Sequence, residues 1–155
     1  MTLLLPGEAE YRAHFVANFT RTPLRFQTSQ GHAPVYFSAN QFDHAFFEST
    51  RRDGVKDVFS AARAERMDDI SVVLADRSVP RHAGWDSRTR SHSHTRCVSI
   101  ALNDFVVVVR LGLTRTGYLR GNFVTCYVAD NSIGKILAAP AWNEAQCIRT
   151  LSQKR

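Results

Sequence analysis

The stretch 104–130 constrains this chain most. It opens at the turn Asn103-Asp104, continues through Phe105-Val-Val-Val-Val-Arg-Leu111, crosses a basic loop at 114–121 and returns through Asn122-Phe-Val-Thr-Cys-Tyr-Val-Ala129. The first run is short, β-branched and bounded by turn residues, which favours a buried strand over a helix. The return run alternates, so Phe123, Thr125 and Tyr127 are expected on one face and Val124, Cys126 and Val128 on the other. A valine-rich strand beside a polar-alternating one implies a sheet with one face packed on a core and one partly open. Polar side chains on such a strand make this hairpin both the end of the core and the floor of a functional site.

The chain has 155 residues, 44% of them apolar and 22% charged, so a single domain over 1–155 with a true core is expected. The formal net charge is +6, and of the 20 basic residues only Lys56, Lys135 and Lys154 are lysines. An excess built from arginine suits phosphate, because the planar guanidinium fork can meet two oxygens at once. Nucleic acid is the first partner to consider, against the alternative of a merely soluble basic chain. Cys97, Cys126 and Cys147 are odd in number and form no CxxC pair, which fits a reducing compartment. The opening run ends at Pro6, too short for a secretory leader, and no segment approaches transmembrane length. A cytoplasmic protein without membrane association is expected.

Taken in order, 8–20 carries Tyr11, Phe15 and Phe19 at helical spacing. Residues 24–28 and 34–37 read as a small hairpin around Ser29-Gln-Gly-His32. A helix is expected over 41–49, capped by Ser38 or Asn40, with Phe42, Ala45 and Phe46 inside and His44 beside that stripe. Residues 51–54 form a basic loop. Ser60 caps the helix expected over 61–74, which carries Arg63 on an outer face as a candidate site residue. The stretch 77–96 holds Arg77, Arg81, His82, Arg88, Arg90, His92, His94 and Arg96 around Trp85, with no apolar period. It reads as a long basic surface loop or a ragged hairpin. Arginine interleaved with an aromatic suits a polynucleotide, guanidinium on phosphate and indole against a base, so Trp85, Arg88, Arg90 and Arg96 are nucleic-acid-binding candidates. His92, His94 and Cys97 do not have a familiar zinc spacing, and no metal is expected. Residues 96–102 supply the strand before the central hairpin, placing Ser99 and Arg110 near Thr125 if alternation holds, while 143–155 read as a tail.

This order is α+β: N-terminal helices and a small hairpin packed on a C-terminal antiparallel β-meander. With His44 on an early helix, Arg96 and Arg110 before and within the sheet, and Thr125 and Tyr127 on the late strand, the pattern over 24–130 resembles the barnase/EndoU/colicin/RelE-like ribonuclease superfamily, especially its phage- and mobile-element-associated branches. The resemblance implies a metal-independent endoribonuclease without cofactor, acting on tRNA or mRNA by 2′-hydroxyl attack. It implies a toxin or phage-derived effector held by an acidic antitoxin or immunity protein. In that scheme His44 is general base or acid, Arg110 and Arg96 are phosphate clamps, Thr125 donates to a phosphate oxygen and Tyr127 stacks or orients. His92 or His94 would be the second proton carrier. No early glutamate stands in for a barnase-like base. The alternatives are a non-catalytic nucleic-acid-binding accessory protein and a phage-encoded protein-interaction module.

Overall fold

The computed structural model describes residues 2–51, 55–86, 89–129 and 132–153. Helix α1 (Glu8–Phe15) widens into a π turn at Val16–Thr20, which keeps Tyr11, Phe15 and Phe19 all buried. Strands β1 (Leu24–Thr28) and β2 (Gly31–Tyr36) form the expected hairpin, and Gly31 supplies a φ of 102° that side-chain-bearing residues avoid.

A 3₁₀ turn at Ala39–Gln41 leads into α2 (Phe42–Ala45), and β3 (Phe47–Glu48) then pairs with β4 (Val58–Phe59). The helix expected over 41–49 thus stops at Ala45. Phe46 turns into the core, and Phe47 packs across the short ladder on Phe59 with ring centroids 5.8 Å apart. Aromatic side chains in succession are better accommodated by a strand, where neighbours face opposite ways.

The single helix expected over 61–74 is two: α3 (Ala61–Ala64) and α4 (Asp69–Ala75). Ser60 caps the first, its Oγ accepting from the Arg63 N–H at 3.3 Å. Between them Arg66, Met67, Asp69 and Ile70 donate to carbonyls three residues back. Such winding eclipses side chains three apart, and it brings Ala64, Met67, Ile70 and Val73 into the core together. Arg66 braces the turn, 2.7 Å from Asp69 and 3.1 Å from Asp104, with its guanidinium over the Phe105 ring.

Strands β5 (Arg81–Asp86), β6 (Ser91–Leu102), β7 (Phe105–Leu113) and β8 (Leu119–Val128) form the antiparallel meander. Within 77–96, β5 therefore pairs with the start of β6 as a ragged hairpin rather than a long loop, with a register shift after Ala83. Asn103, with φ 57°, turns β6 into β7 in two residues. The small hairpin does more than pack on the meander. It extends it, because β2 pairs in parallel with β8 and gives a six-stranded sheet of order β1-β2-β8-β7-β6-β5. Helix α5 (Ile133–Ala138) packs on one sheet face, and α6 (Glu144–Gln153), in place of the expected tail, buries Cys147 against the other. The turn residues Asp130 and Asn131, Arg52 to Gly54 of the basic loop, and Lys154 and Arg155 of the basic end lie outside the described residues.

One irregularity redirects the site. Val108 pairs with Thr125 while Val109 pairs with Phe123, so Val124 is an extra residue, a β-bulge. Phe123 and Cys126 consequently face the main core, and Thr125 and Tyr127 face the opposite side beside Val106 and Val108. Phe123 does not share a face with Thr125 and Tyr127, because the bulge shifts the alternation between them. Ser99, Val108 and Thr125 do form one cross-strand row, with Arg110 one step along the same face.

The core is aromatic. Phe15 has the rings of Phe19, Phe37, Phe42, Phe46 and Phe123 at centroid distances between 5.5 and 6.4 Å. No helix among the described residues is long and apolar enough to cross a membrane. Gly121 sits where β2, β8 and β7 meet, and a Cβ there would lie 2.6 Å from Val109 Cγ1 and 3.4 Å from both Val35 Cγ2 and the Arg110 carbonyl. Gly121→Ala should destabilise the fold by roughly 1–3 kcal/mol through overpacking, read as a lowered urea midpoint at unchanged slope. An unchanged midpoint would contradict this packing.

Candidate nucleic-acid interface

The sequences of β1, β2, β6, β7 and β8 contain no aspartate or glutamate. Alternation along β1 and β2 buries Phe26, Ala33 and Val35 and turns Arg25, His32 and Tyr36 outward. On β7 and β8 the same period buries Val109, Leu111, Leu119 and Phe123 and exposes Arg110, Arg120 and Asn122. Pairing then aligns the exposed set. Tyr36, Asn122, Arg110 and Cys97 form one row across four strands, Arg25 stands opposite Pro34, and Arg120 lies over Gly112. With strands about 4.8 Å apart and same-face residues about 7 Å apart, the three arginines occupy a patch about 15 Å across.

None of Arg25, Arg110 and Arg120 makes an ion pair among the described residues, whereas Arg12, Arg63 and Arg66 on the helical side each meet a carboxylate. Tyr36 is 45% exposed on this face, and Tyr118 is 57% exposed at the turn beside it. Arg120 Nε donates to the Leu113 carbonyl at 3.4 Å, and guanidinium groups free of carboxylates around exposed aromatic rings can hold phosphates and stack bases.

A second basic group lies in the helical layer. Arg63 donates through Nη1 to the carbonyls of Ala45 and Phe47, both at 3.2 Å, and its Nε is 3.5 Å from Glu48. Arg63 is therefore a brace for the end of α2 and for β3. His44 lies nearby at the surface, its pKa lowered by partial desolvation and then by the charges of Lys56 and Arg63. Lys56 is lowered by desolvation and by Arg63. The Arg63 charge also reaches Tyr127, although burial dominates there and raises the phenol. Burial pushes the Cys126 thiol up to about 12, so it is inert as a nucleophile near neutral pH.

A third feature opens where α5 crosses the sheet. It is a half-open cavity of about 700 Å³, with His82, Ser99 and Tyr127 on the sheet side, Lys135 and Ile136 on the helix side, and Trp85 and His92 at one side. The Trp85 and His92 rings meet edge to face at 5.2 Å across the β5–β6 ladder.

Arg110 and Thr125 share the open sheet face, Tyr127 enters the cavity with Trp85, and His44 and Arg63 belong to the helical layer. His44 makes no hydrogen bond to Thr125, Tyr127 or Arg110. Thr125 Oγ1 approaches only the Cys126 carbonyl, at 3.5 Å. Arg90 is exposed at the tip of the β5–β6 hairpin with φ 53°. Arg88 and the side chains of His94 and Arg96 lie outside the described residues. Among the described residues no group of three or more His, Cys, Asp or Glu is placed to hold a metal ion.

Arg25, Tyr36, Arg120, His82 and Lys135 were not expected in a site. Arg25 and Tyr36 carried a signal, since each is the polar or amphipathic member of an alternating strand. Arg120 was hidden by the start of β8, which begins at Leu119 rather than Asn122.

The chain matches no protein-family model, no curated protein and no solved structure.

Lys56→Ala should raise the His44 pKa toward the ordinary histidine value of about 6.5, because one of the two cations opposing its protonation is gone. Histidine ring signals followed by NMR through a pH titration measure this, and an unmoved midpoint would separate Lys56 from His44.

Proposed function

We propose that the protein binds single-stranded RNA across the open face of its sheet, in a reducing compartment. The observation that carries the reading is the patch of Arg25, Arg110 and Arg120, without ion pairs among the described residues, around exposed Tyr36 on strands that contain no acid. Phosphates meet the guanidinium groups, and bases stack on Tyr36 and Tyr118. A single strand suits this surface better than a duplex. The major groove of duplex RNA is deep and narrow, and that of DNA, about 12 Å wide, admits a helix or two strands, so neither takes the breadth of a six-stranded sheet. The three free thiols, two of them buried, support a reducing compartment.

A second reading, metal-independent RNA cleavage of the kind the ribonuclease resemblance implies, is favoured by His44. Its lowered pKa keeps the imidazole neutral near pH 7 and able to accept the 2′-hydroxyl proton. Lys56 supplies a cation for the phosphate, since Arg63 is engaged by backbone carbonyls and Glu48. An acidic antitoxin or immunity protein belongs with this reading, as a partner for the basic surface.

Binding of a labelled single-stranded oligoribonucleotide should weaken linearly as log affinity against log salt. Arg110→Ala and Arg120→Ala should each reduce that slope by about 1, the loss of one phosphate contact. Tyr36→Ala should leave the slope and cost roughly 1–3 kcal/mol. Slopes unchanged by both arginine substitutions would remove RNA from this face. For the second reading, wild type should fragment RNA in the presence of EDTA and His44→Ala should not. Intact RNA with wild type, or equal fragmentation by both, would remove His44 from any cleavage.

A further inference from the structure

The cavity beneath α5 has the composition of a ligand pocket rather than a packing gap. Its volume of about 700 Å³ falls in the usual range for small-molecule sites, about 300–1,000 Å³. Aromatic and aliphatic groups dominate, with Trp85, Tyr127 and Ile136 among them, and none of the described lining residues is an acid. Burial raises the Tyr127 pKa, so its hydroxyl stays protonated and can donate. His82 Nδ1–H donates to the Ala139 carbonyl at 3.1 Å, which fixes the orientation of the ring. Nε2 of the same ring is shut off from solvent and has no hydrogen-bond partner among the described residues. Lys135 brings a cation to the rim from α5.

An aromatic ring with a hydrogen-bond acceptor and an attached anion answers the apolar walls, the Tyr127 hydroxyl and the Lys135 cation together. The cavity also continues the arginine face. Ser99 lies in the Val108 row, one same-face step of about 7 Å from the Arg110 row. We infer that this cavity seats one nucleotide of the bound RNA, its base against Trp85 and Tyr127 and its phosphate at Lys135. The inference rests on the RNA-binding reading and gives it a place where one base is held apart from the stack.

Trp85 fluorescence reports on the site directly, with adenosine 5′-monophosphate and a single-stranded oligoribonucleotide as probes and Trp85→Phe as the control for the signal of Trp142. The mononucleotide should quench wild type saturably, and inorganic phosphate alone should not. Lys135→Ala, which leaves the packing intact, and Ala138→Phe, which fills the cavity from an exposed helix position, should each weaken mononucleotide binding about tenfold or more. Oligonucleotide binding should fall in both variants, with the salt slope lower by about 1 in Lys135→Ala, which loses a phosphate contact, and unchanged in Ala138→Phe, which keeps every cation. If wild type binds the oligonucleotide but not the mononucleotide, or both variants bind the mononucleotide as wild type does, the pocket is refuted while the sheet-face reading stands. If the mononucleotide binds and the oligonucleotide does not, the reading itself fails, and with it the assignment of an RNA strand to the pocket.

Discussion

The fold depends on the packing of phenylalanine rings around Phe15. Phe37 ends the small hairpin, Phe42 and Phe46 belong to the helical layer, and Phe123 projects from β8, so one cluster joins three parts of the chain. Phe37 and Phe123 stack with centroids 4.6 Å apart, next to the short parallel pairing of β2 with β8. Each aromatic side chain buries a large area and prefers offset or edge contacts to its neighbours. Burying so much apolar surface on one side of the sheet leaves the other side free of that duty over β1, β2 and the near ends of β7 and β8.

Charge follows the same division. The carboxylates that neutralise nearby arginines, Asp43, Glu48, Asp69 and Asp104, sit in helices, in a turn and in the short β3, away from the open face. The strands of the open face carry arginine without acid. Clustered like charge on a flat surface is held at some cost in self-repulsion, a cost that a polyanion would relieve. At the far end of this face α5 replaces solvent with a lid, and the surface becomes a cavity rather than a plane.

Much of the architecture was legible in the sequence because its signals were local. The β-branched run at 105–109, the Asn103-Asp104 turn and the Ser60 cap each rest on a few adjacent residues, and each is where the pattern put it. The single helix over 61–74 was misread because a stripe at spacings of three and four also fits a 3₁₀ stretch, and only the buried row of Ala64, Met67 and Ile70 distinguishes them. The bulge at Val124 has no local signature. It depends on register against β7, so the separation of Phe123 from Thr125 and Tyr127 could not be read. That Phe42 and Ala45, beside His44, pack on the main core while Thr125 and Arg110 stand on the opposite sheet face was hidden for a related reason, since sequence order does not tell which side of a sheet a helix covers. The cavity needed α5 to cross the sheet beside His82, a contact made between distant segments.

On the proposed reading the acid-free sheet face, and not the helical layer, is the surface that meets RNA. Backbone amide chemical shifts followed by NMR while a single-stranded oligoribonucleotide is added test it most directly. The largest changes are expected in β1, β2, β7 and β8 around Arg25, Tyr36, Arg110 and Arg120, with α1 and α4 unmoved. Changes concentrated instead around His44, Lys56 and α3, with the open face silent, would contradict it.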